Sequence, residues 1–181
     1  MFRSILQAGV ILLVLVGCQQ LLQKTNLLDS VDPGTISTAT SEQIVGRVVR
    51  VIDGDTVSVL DKNNTQHRIR LAQIDAPETK QAYSKVAKEA LSSLVANREV
   101  TVKVDGIDRY QRVLGELFIA DQNVNLYLVR NGLAWAYTAY VTDDNYVVAQ
   151  RLAQKEQRGL WADPHAVAPW EFRRQQRKQR Q

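Results

Sequence analysis

Apolar residues along the chain form one short unbroken run, then a stretch without rhythm, then an ordered succession of strand-like and helix-like periods. The run is Ala8–Val16, Ala-Gly-Val-Ile-Leu-Leu-Val-Leu-Val, with no charge in it. It is too short to span a bilayer comfortably and has the length of the apolar region of a signal peptide. Residues 19–41 show no sustained periodicity and, with Pro33-Gly34, read as a tether. From Gln43 the pattern is that of a folded domain. Ile44, Val45, Val48, Val49, Val51 and Ile52 mark a β-rich run that Asp53-Gly54-Asp55 interrupts. Thr56–Leu60 resumes it, and Asp61–Thr65 is a hairpin turn. His67–Ile74 alternates as a third strand, with Ile69 and Leu71 on one face and Arg68 and Arg70 on the other. Tyr83, Val86, Ala87, Ala90, Leu91, Leu94 and Val95 recur at helical spacing. Glu99–Asp105 and Val113–Ala120 are two further strands, and Val124–Arg130 is a short helix stopped at Asn131-Gly132. Asp143–Arg158 is a last helix, with Asp143 or Asp144 as N-cap and Gly159 as the stop. This order predicts an α+β domain dominated by a small five-stranded barrel, with three helices packed outside it.

Cysteine usage changes the reading of the amino terminus. The apolar run ends in Leu15-Val16-Gly17-Cys18, and Cys18 is the only cysteine among 181 residues. A small residue before a lone cysteine resembles a bacterial lipobox, in which cleavage leaves the cysteine thiol carrying diacylglycerol and its amine acylated. More than one acyl chain gives stable attachment to a membrane. An ordinary signal peptide or an uncleaved anchor is the alternative. On the lipobox reading the chain divides into a signal peptide (1–17), a tether (18–42), a domain (43–172) and a tail (173–181), the mature domain holds no disulfide, and the product is an exported, membrane-anchored lipoprotein, periplasmic or extracellular, with no protein partner indicated and a monomeric state expected. The formal net charge of +4 is a property of the tail. From Cys18 to Phe172 there are 17 basic and 19 acidic residues, whereas Arg173–Gln181 holds five basic groups and no acid. Such a Gln/Arg-rich end reads as disordered, attracted to nucleic-acid phosphate or anionic lipid, or simply solvated.

Candidate chemistry clusters in two segments. Asp53-Gly54-Asp55-Thr56 sets two carboxylates around a glycine at a strand break, and oxygen donors of this kind suit a hard divalent cation such as Ca²⁺. In Arg68-Ile-Arg-Leu-Ala-Gln-Ile-Asp75-Ala-Pro-Glu78-Thr-Lys80, Arg70 and Asp75 stand at opposite ends of one expected strand. Pro77 lacks an N–H and holds Ala76 extended, so Asp75, the Ala76 carbonyl and Glu78 are presented rigidly at a strand end. Clustered acids there are costly without a metal ion or an arginine.

Taken together, Val51-Ile-Asp-Gly-Asp-Thr-Val57, Arg70 through Asp75-Ala-Pro-Glu-Thr-Lys80, and Asp108-Arg-Tyr-Gln-Arg112 resemble the staphylococcal nuclease family. Val124-Asn125-Leu126, Gly132–Tyr137 and Arg158-Gly-Leu-Trp161 are similar as well, so the resemblance covers about residues 43–172. It implies an OB-type barrel of five strands with three helices. It implies a Ca²⁺-dependent endonuclease of little sequence specificity that hydrolyses DNA and RNA and leaves 3′-phosphate ends. Metal ligands would be Asp55, Asp75 and the carbonyl of Ala76, with Asp53 in the outer shell. Arg70, Glu78 and Arg112 would be catalytic. Tyr110, Lys80 and Tyr140 would bind substrate, and Lys85 would line its entrance. Trp135 and Trp161 read as core, and His67 and His165 as structural or exposed. Two departures stand out: Gln111 occupies a position where the family commonly has glycine, and the segment after Glu78 is shorter than in its best-known member. A non-catalytic OB-type module binding nucleic acid or protein is the alternative function, and retention of every matched catalytic position argues against it.

Overall fold

The structure, a computed structural model, describes residues 42–180. The expected signal peptide, Cys18 and nearly all of the expected tether lie outside the described residues. Six strands form one sheet: β1 (Gln43–Val51), β2 (Thr56–Asp61), β3 (Gln66–Leu71), β5 (Glu99–Ile107), β6 (Val113–Ile119) and the short β7 (Gln122–Asn123). Their order is β3-β2-β1-β5-β6-β7, and a parallel pairing of β3 with β6, Ile69 opposite Val113 through Leu71 opposite Gly115, closes the first five into a barrel. A separate two-residue ladder joins β4 (Ile74–Asp75) to β8 (Trp135–Ala136). Among the described residues no helix is long and apolar enough to cross a membrane.

Alternation along the strands fills the barrel. Val48, Val57, Val59, Ile69, Leu71, Val100, Val102 and Leu117 are buried together, and the buried faces of the helices cover them. Helix α1 (Ser84–Val95) contributes Ala87, Leu91 and Val95. Helix α2 (Val124–Arg130) contributes Val124, Leu128 and Val129, and α3 (Asp144–Lys155) contributes Tyr146, Ala149 and Ala153. Burying each large aliphatic side chain contributes about 1.5–3 kcal/mol. Asn123 caps α2 by accepting from the Leu126 N–H, and Asp143 caps α3 by accepting from the Asn145 N–H. Helix α3 ends at Lys155 rather than at Gly159, because Gln157 already takes a left-handed φ of 52°; Gly159 opens a short 3₁₀ turn instead.

Two further expectations are corrected. The third strand does not run to Ile74. It stops at Leu71, Gln73 adopts φ 65°, and the chain turns back into β4. Gln73 secures that turn: its side-chain oxygen accepts from the N–H groups of Thr142 and Asp143, and its amide donates to Glu116 at 3.0 Å. The basic end is not a disordered tail beginning at 173. A fourth helix, α4 (Pro169–Lys178), continues to within three residues of the end of the chain. Pro169 is buried at its first turn, where a missing N–H leaves no hydrogen bond unmade.

Asn125, fully buried on α2, ties the barrel to the turn after β3. Its side-chain oxygen accepts from the Leu117 N–H, and its amide donates to the carbonyls of Ala72 (2.9 Å) and Gly115 (3.2 Å). Removing it strands buried backbone groups, each at a cost of about 1–3 kcal/mol. Asn125→Ala is expected to lower unfolding stability by ~2–4 kcal/mol in urea titration, while an exposed control, Gln179→Ala, leaves it unchanged.

Candidate active site

A cleft of about 1060 Å³ opens where the β3–β4 turn, the Asp53–Asp55 turn, the β5–β6 loop and α4 meet. Asp55 is delivered by a tight turn in which the Ile52 N–H bonds the Thr56 carbonyl at 2.9 Å. Gly54 is required at its centre, since a Cβ there would stand 2.8 Å from the Cβ of Ala76. The Asp55 N–H donates to Asp53 at 3.1 Å, which sets Asp53 behind Asp55. Ala76 in turn donates its N–H to Oδ2 of Asp55 at 2.8 Å, so the two acid-bearing segments are bonded directly to each other.

Arg70 fills the space between the acids. Its Nη2 lies 3.1 Å from Oδ2 of Asp55 and 3.0 Å from Oδ1 of Asp75, and its Nη1 donates to the carbonyls of Leu71 and Ile74. Asp75 is almost fully buried on β4, held opposite Trp135 by the β4–β8 pairing. Burial pushes the carboxyl of Asp55 up to about 7, against the attraction of Arg70. Glu78 follows on a loop closed by a bond from the Gln81 N–H to the Glu78 carbonyl at 2.7 Å.

Arg112 reaches the cleft from the β5–β6 loop. Asp108 organises that loop by accepting from the N–H groups of Tyr110 and Arg112 and from the Arg112 guanidinium at 2.7 Å. Burial works against the Asp108 charge, but these bonds outweigh it and hold its carboxyl below the ordinary range. Gln111 has φ 60°, the region glycine occupies most cheaply, and the Asp108 bonds keep Arg112 in place despite that strain. Tyr110 lies exposed beneath the Arg109 and Arg112 guanidiniums, 4.8 and 5.6 Å from their centres.

The structure brings Asp53, Asp55, Arg70, Asp75, Ala76, Glu78, Tyr110, Arg112 and Tyr140 to the lining of one cleft. Lys80 is not with them: Thr79 is the last residue of its segment on the cleft, and Lys80 is exposed beyond it. Lys85 is also exposed and pairs with Glu89 at 3.7 Å. Trp135 and Trp161 are half-buried rather than core, packed edge-on at 4.2 Å, and His67 bonds Asp61 at 2.9 Å.

Several further residues join the cleft that the sequence did not single out as site residues. Tyr137 stacks face to face on Trp170 of α4, with ring centres 5.2 Å apart. From the same helix Arg173 bonds both oxygens of Asp75, at 3.2 and 2.8 Å, and Glu78 at 2.6 Å. The spacing of Trp170, Arg173 and Arg177 on one helical face was the available clue, hidden by the overall polarity of the segment.

Fold and cleft define a small barrel that carries a cleft of arginines and carboxylates. A family described as "Staphylococcal nuclease homologue" matches residues 68–163. A Haemophilus influenzae protein named "Uncharacterized endonuclease" is 43% identical over 142 residues, covering 78% of this chain and 80% of its own. An Escherichia coli protein of the same description is 48% identical over 131 residues, 72% of this chain and 85% of that one. A "Micrococcal nuclease" of Shigella flexneri is 41% identical over 140 residues, 71% and 80% respectively. The chain belongs to the staphylococcal nuclease homologue family and is a nuclease.

Above about pH 4 the unfolded chain carries Asp55 ionised, while the folded protein holds its proton until about pH 7. Stability therefore falls as pH rises through that window and stays lower above it. Asp55→Asn removes the penalty. In the absence of divalent cation it is expected to stabilise the protein by ~1–4 kcal/mol at pH 8 and by little at pH 4, measured by thermal unfolding at both pH values.

Proposed function

We propose that this nuclease is a Ca²⁺-dependent endonuclease acting on DNA and RNA with little sequence specificity and leaving 3′-phosphate ends. The observation that carries the reading is the joining of Asp55, Asp75 and Arg70 in one buried cluster, with Glu78 and Arg112 on the same cleft. The donor set fits a hard divalent cation. Two buried carboxylates face the cleft, and no N–H of the described residues bonds the carbonyl of the buried Ala76. The elevated Asp55 carboxyl shows that Arg70 alone does not offset the buried charge. Among the described residues no three acid or histidine side chains are already gathered as a metal cage. The carbonyl oxygen and solvent would complete the coordination. When bound, the cation would supply charge neutralisation and activation of a phosphate oxygen at Asp55, Asp75 and Ala76.

The protein's own groups account for the remaining chemistry. Six acidic residues and five arginines line the cleft, so a polyanion meets a surface close to neutral. A divalent cation tips that balance positive, which gives a physical reason for substrate binding to require it. Every basic residue on the cleft is arginine, whose planar fork holds two phosphate oxygens at once. Arg70 and Arg112 approach from the end of β3 and from the β5–β6 loop, and from there they can share the extra negative charge of the pentacoordinate phosphorus. Glu78 accepts a proton from, or orients, the attacking water. Exposed Tyr110 and Tyr140 offer ring faces for bases without reading sequence. Export and anchoring through lipidated Cys18 complete the proposal and rest on the sequence around that residue.

The deciding experiment is a Ca²⁺-titrated assay on single- and double-stranded DNA and on RNA, with end-group analysis. Activity should vanish with chelator and return with Ca²⁺, and the products should carry 3′-phosphates. Glu78→Gln is expected to lower kcat by ~10²–10⁴-fold and Arg112→Ala by ~10²–10³-fold. Binding without turnover in the intact protein would instead establish a non-catalytic module. For the anchor, Cys18→Ser should abolish incorporation of labelled fatty acid and release the protein from the membrane fraction; unchanged labelling would refute it.

A further inference from the structure

Helix α4 is seated by the same elements that carry the site acids. Trp170 stacks on Tyr137 and packs edge-on against Trp135 at 5.7 Å, and Trp135 is the ladder partner of Asp75. Just before the helix, the Val167 carbonyl accepts a bond from the side chain of Gln81, in the loop that follows Glu78. The helix is thus fixed to β8 on one side and to the Glu78 loop on the other. Its basic residues separate accordingly. Arg174 is exposed and pairs within the helix with Glu171, whereas Arg173 is half-buried in the cleft.

Arg173 makes contacts that solvation or helix docking alone does not require. Its Nη1 and Nη2 lie 3.2 and 2.8 Å from the two oxygens of Asp75, a fork-on-fork geometry, and Nη1 also lies 2.6 Å from Oε1 of Glu78. Those acids come from different pieces of chain, β4 and the loop beyond Pro77. A planar guanidinium bonded to both fixes their separation and the orientation of each, which a point charge cannot do. Glu78 has no other hydrogen-bond partner for its carboxylate among the described residues. Without Arg173 that carboxylate is held only by a half-exposed loop.

We propose that Arg173 is a positioning residue of the active site, setting the carboxylates of Asp75 and Glu78 relative to each other so that the C-terminal helix is a working part of the nuclease. This rests on the reading of Asp75 and Glu78 as groups that serve phosphodiester hydrolysis. Misplacing a reacting group by about 1 Å can cost ~10²-fold in rate, and Arg173 acts on two such groups at once.

The test uses Arg173→Ala and Arg173→Lys in the full chain, with kcat and KM on DNA at saturating Ca²⁺, Ca²⁺ affinity by titration calorimetry, and melting temperatures in chelator. Arg173→Ala should lower kcat by ~10–100-fold with KM within about threefold of wild type, and Arg173→Lys should recover part of the loss. In chelator, the melting-temperature losses of Arg173→Ala and Glu78→Ala should be non-additive in the double variant, as expected of direct partners. Should Arg173→Ala fail to fold, the Lys variant decides: a wild-type kcat there overturns the proposal. An unchanged kcat in the folded Ala variant also overturns it, and so does a loss confined to KM, which would make Arg173 a substrate contact. Ca²⁺ binding tightened tenfold together with faster turnover overturns it too, marking Arg173 as a latch that the cation must displace. If wild type itself hydrolyses nothing under Ca²⁺, the nuclease reading fails; if wild type is active and the variants match it, only the role of Arg173 fails.

Discussion

The guanidinium of Arg70 is the constraint on which the site depends. It bonds two carbonyls of the turn it precedes, those of Leu71 and Ile74, and two buried carboxylates that the turn brings together. Each task presupposes the other. The bonds to carbonyls hold the reversal between β3 and β4, and that reversal places Asp75 beside Asp55. Burying two acids this close is unfavourable unless a cation sits between them, so Arg70 lowers the cost of the turn, though burial still raises the Asp55 carboxyl. The barrel supplies the rigid base. The Leu71 N–H bonds the Asp55 carbonyl at 2.8 Å, the Ala72 N–H bonds the Gly115 carbonyl at 2.8 Å, and Asn125 fastens Ala72 from the helix side.

The strands of the barrel were legible because they obey period two and because turn residues punctuate them. Helix α1 was legible from its apolar spacing, α2 from its stop at Asn131-Gly132 and α3 from its cap, with Asp143 rather than Asp144 acting as N-cap. What was not legible is instructive. A strand through Ile74 satisfies alternation, and only the left-handed φ of Gln73, a residue with no special preference for it, ends the strand. The compensation lies far away in sequence, in the bonds of Gln73 to Glu116, Thr142 and Asp143. Tertiary partners overrode a local pattern. Likewise the family resemblance brought the carboxylates and two arginines into view as a set, but the motif carries no information on what packs over it.

Helix α4 shows the same limit from the other direction. Its composition, rich in Arg and Gln with few apolar residues, is that of a solvated end, and apolar periodicity is the wrong measure for a helix that docks through one aromatic ring and one ion-paired arginine. Trp170 and Arg173 lie three positions apart and so share a face. They face the Tyr137 ring and two carboxylate oxygens that no barrel residue bonds, Oδ2 of Asp75 and Oε1 of Glu78. Burial opposes the Arg173 charge, yet its bonds to Asp75 and Glu78 outweigh that and raise its pKa, so it remains a cation at any working pH.

This arrangement gives the cleft two kinds of arginine. Arg173 is taken up with fixing Asp75 and Glu78, whereas Arg70, set between Asp55 and Asp75, and Arg112, braced from one side by Asp108, are the pair that meets phosphate in the proposed reaction. A nuclease needs both. Carboxylates must be held still enough to bind a cation and direct a water, and some positive charge must remain free to meet phosphate. Asp108 secures the second requirement cheaply: paired only along the edge of Arg112, it orients the guanidinium without enclosing it. The loop pays for that geometry with a left-handed Gln111, and the strain is tolerable because four groups of the loop converge on one carboxylate. Structural and reactive demands are thereby divided among residues of the same type by what each one touches, a division that residue identity alone could not disclose.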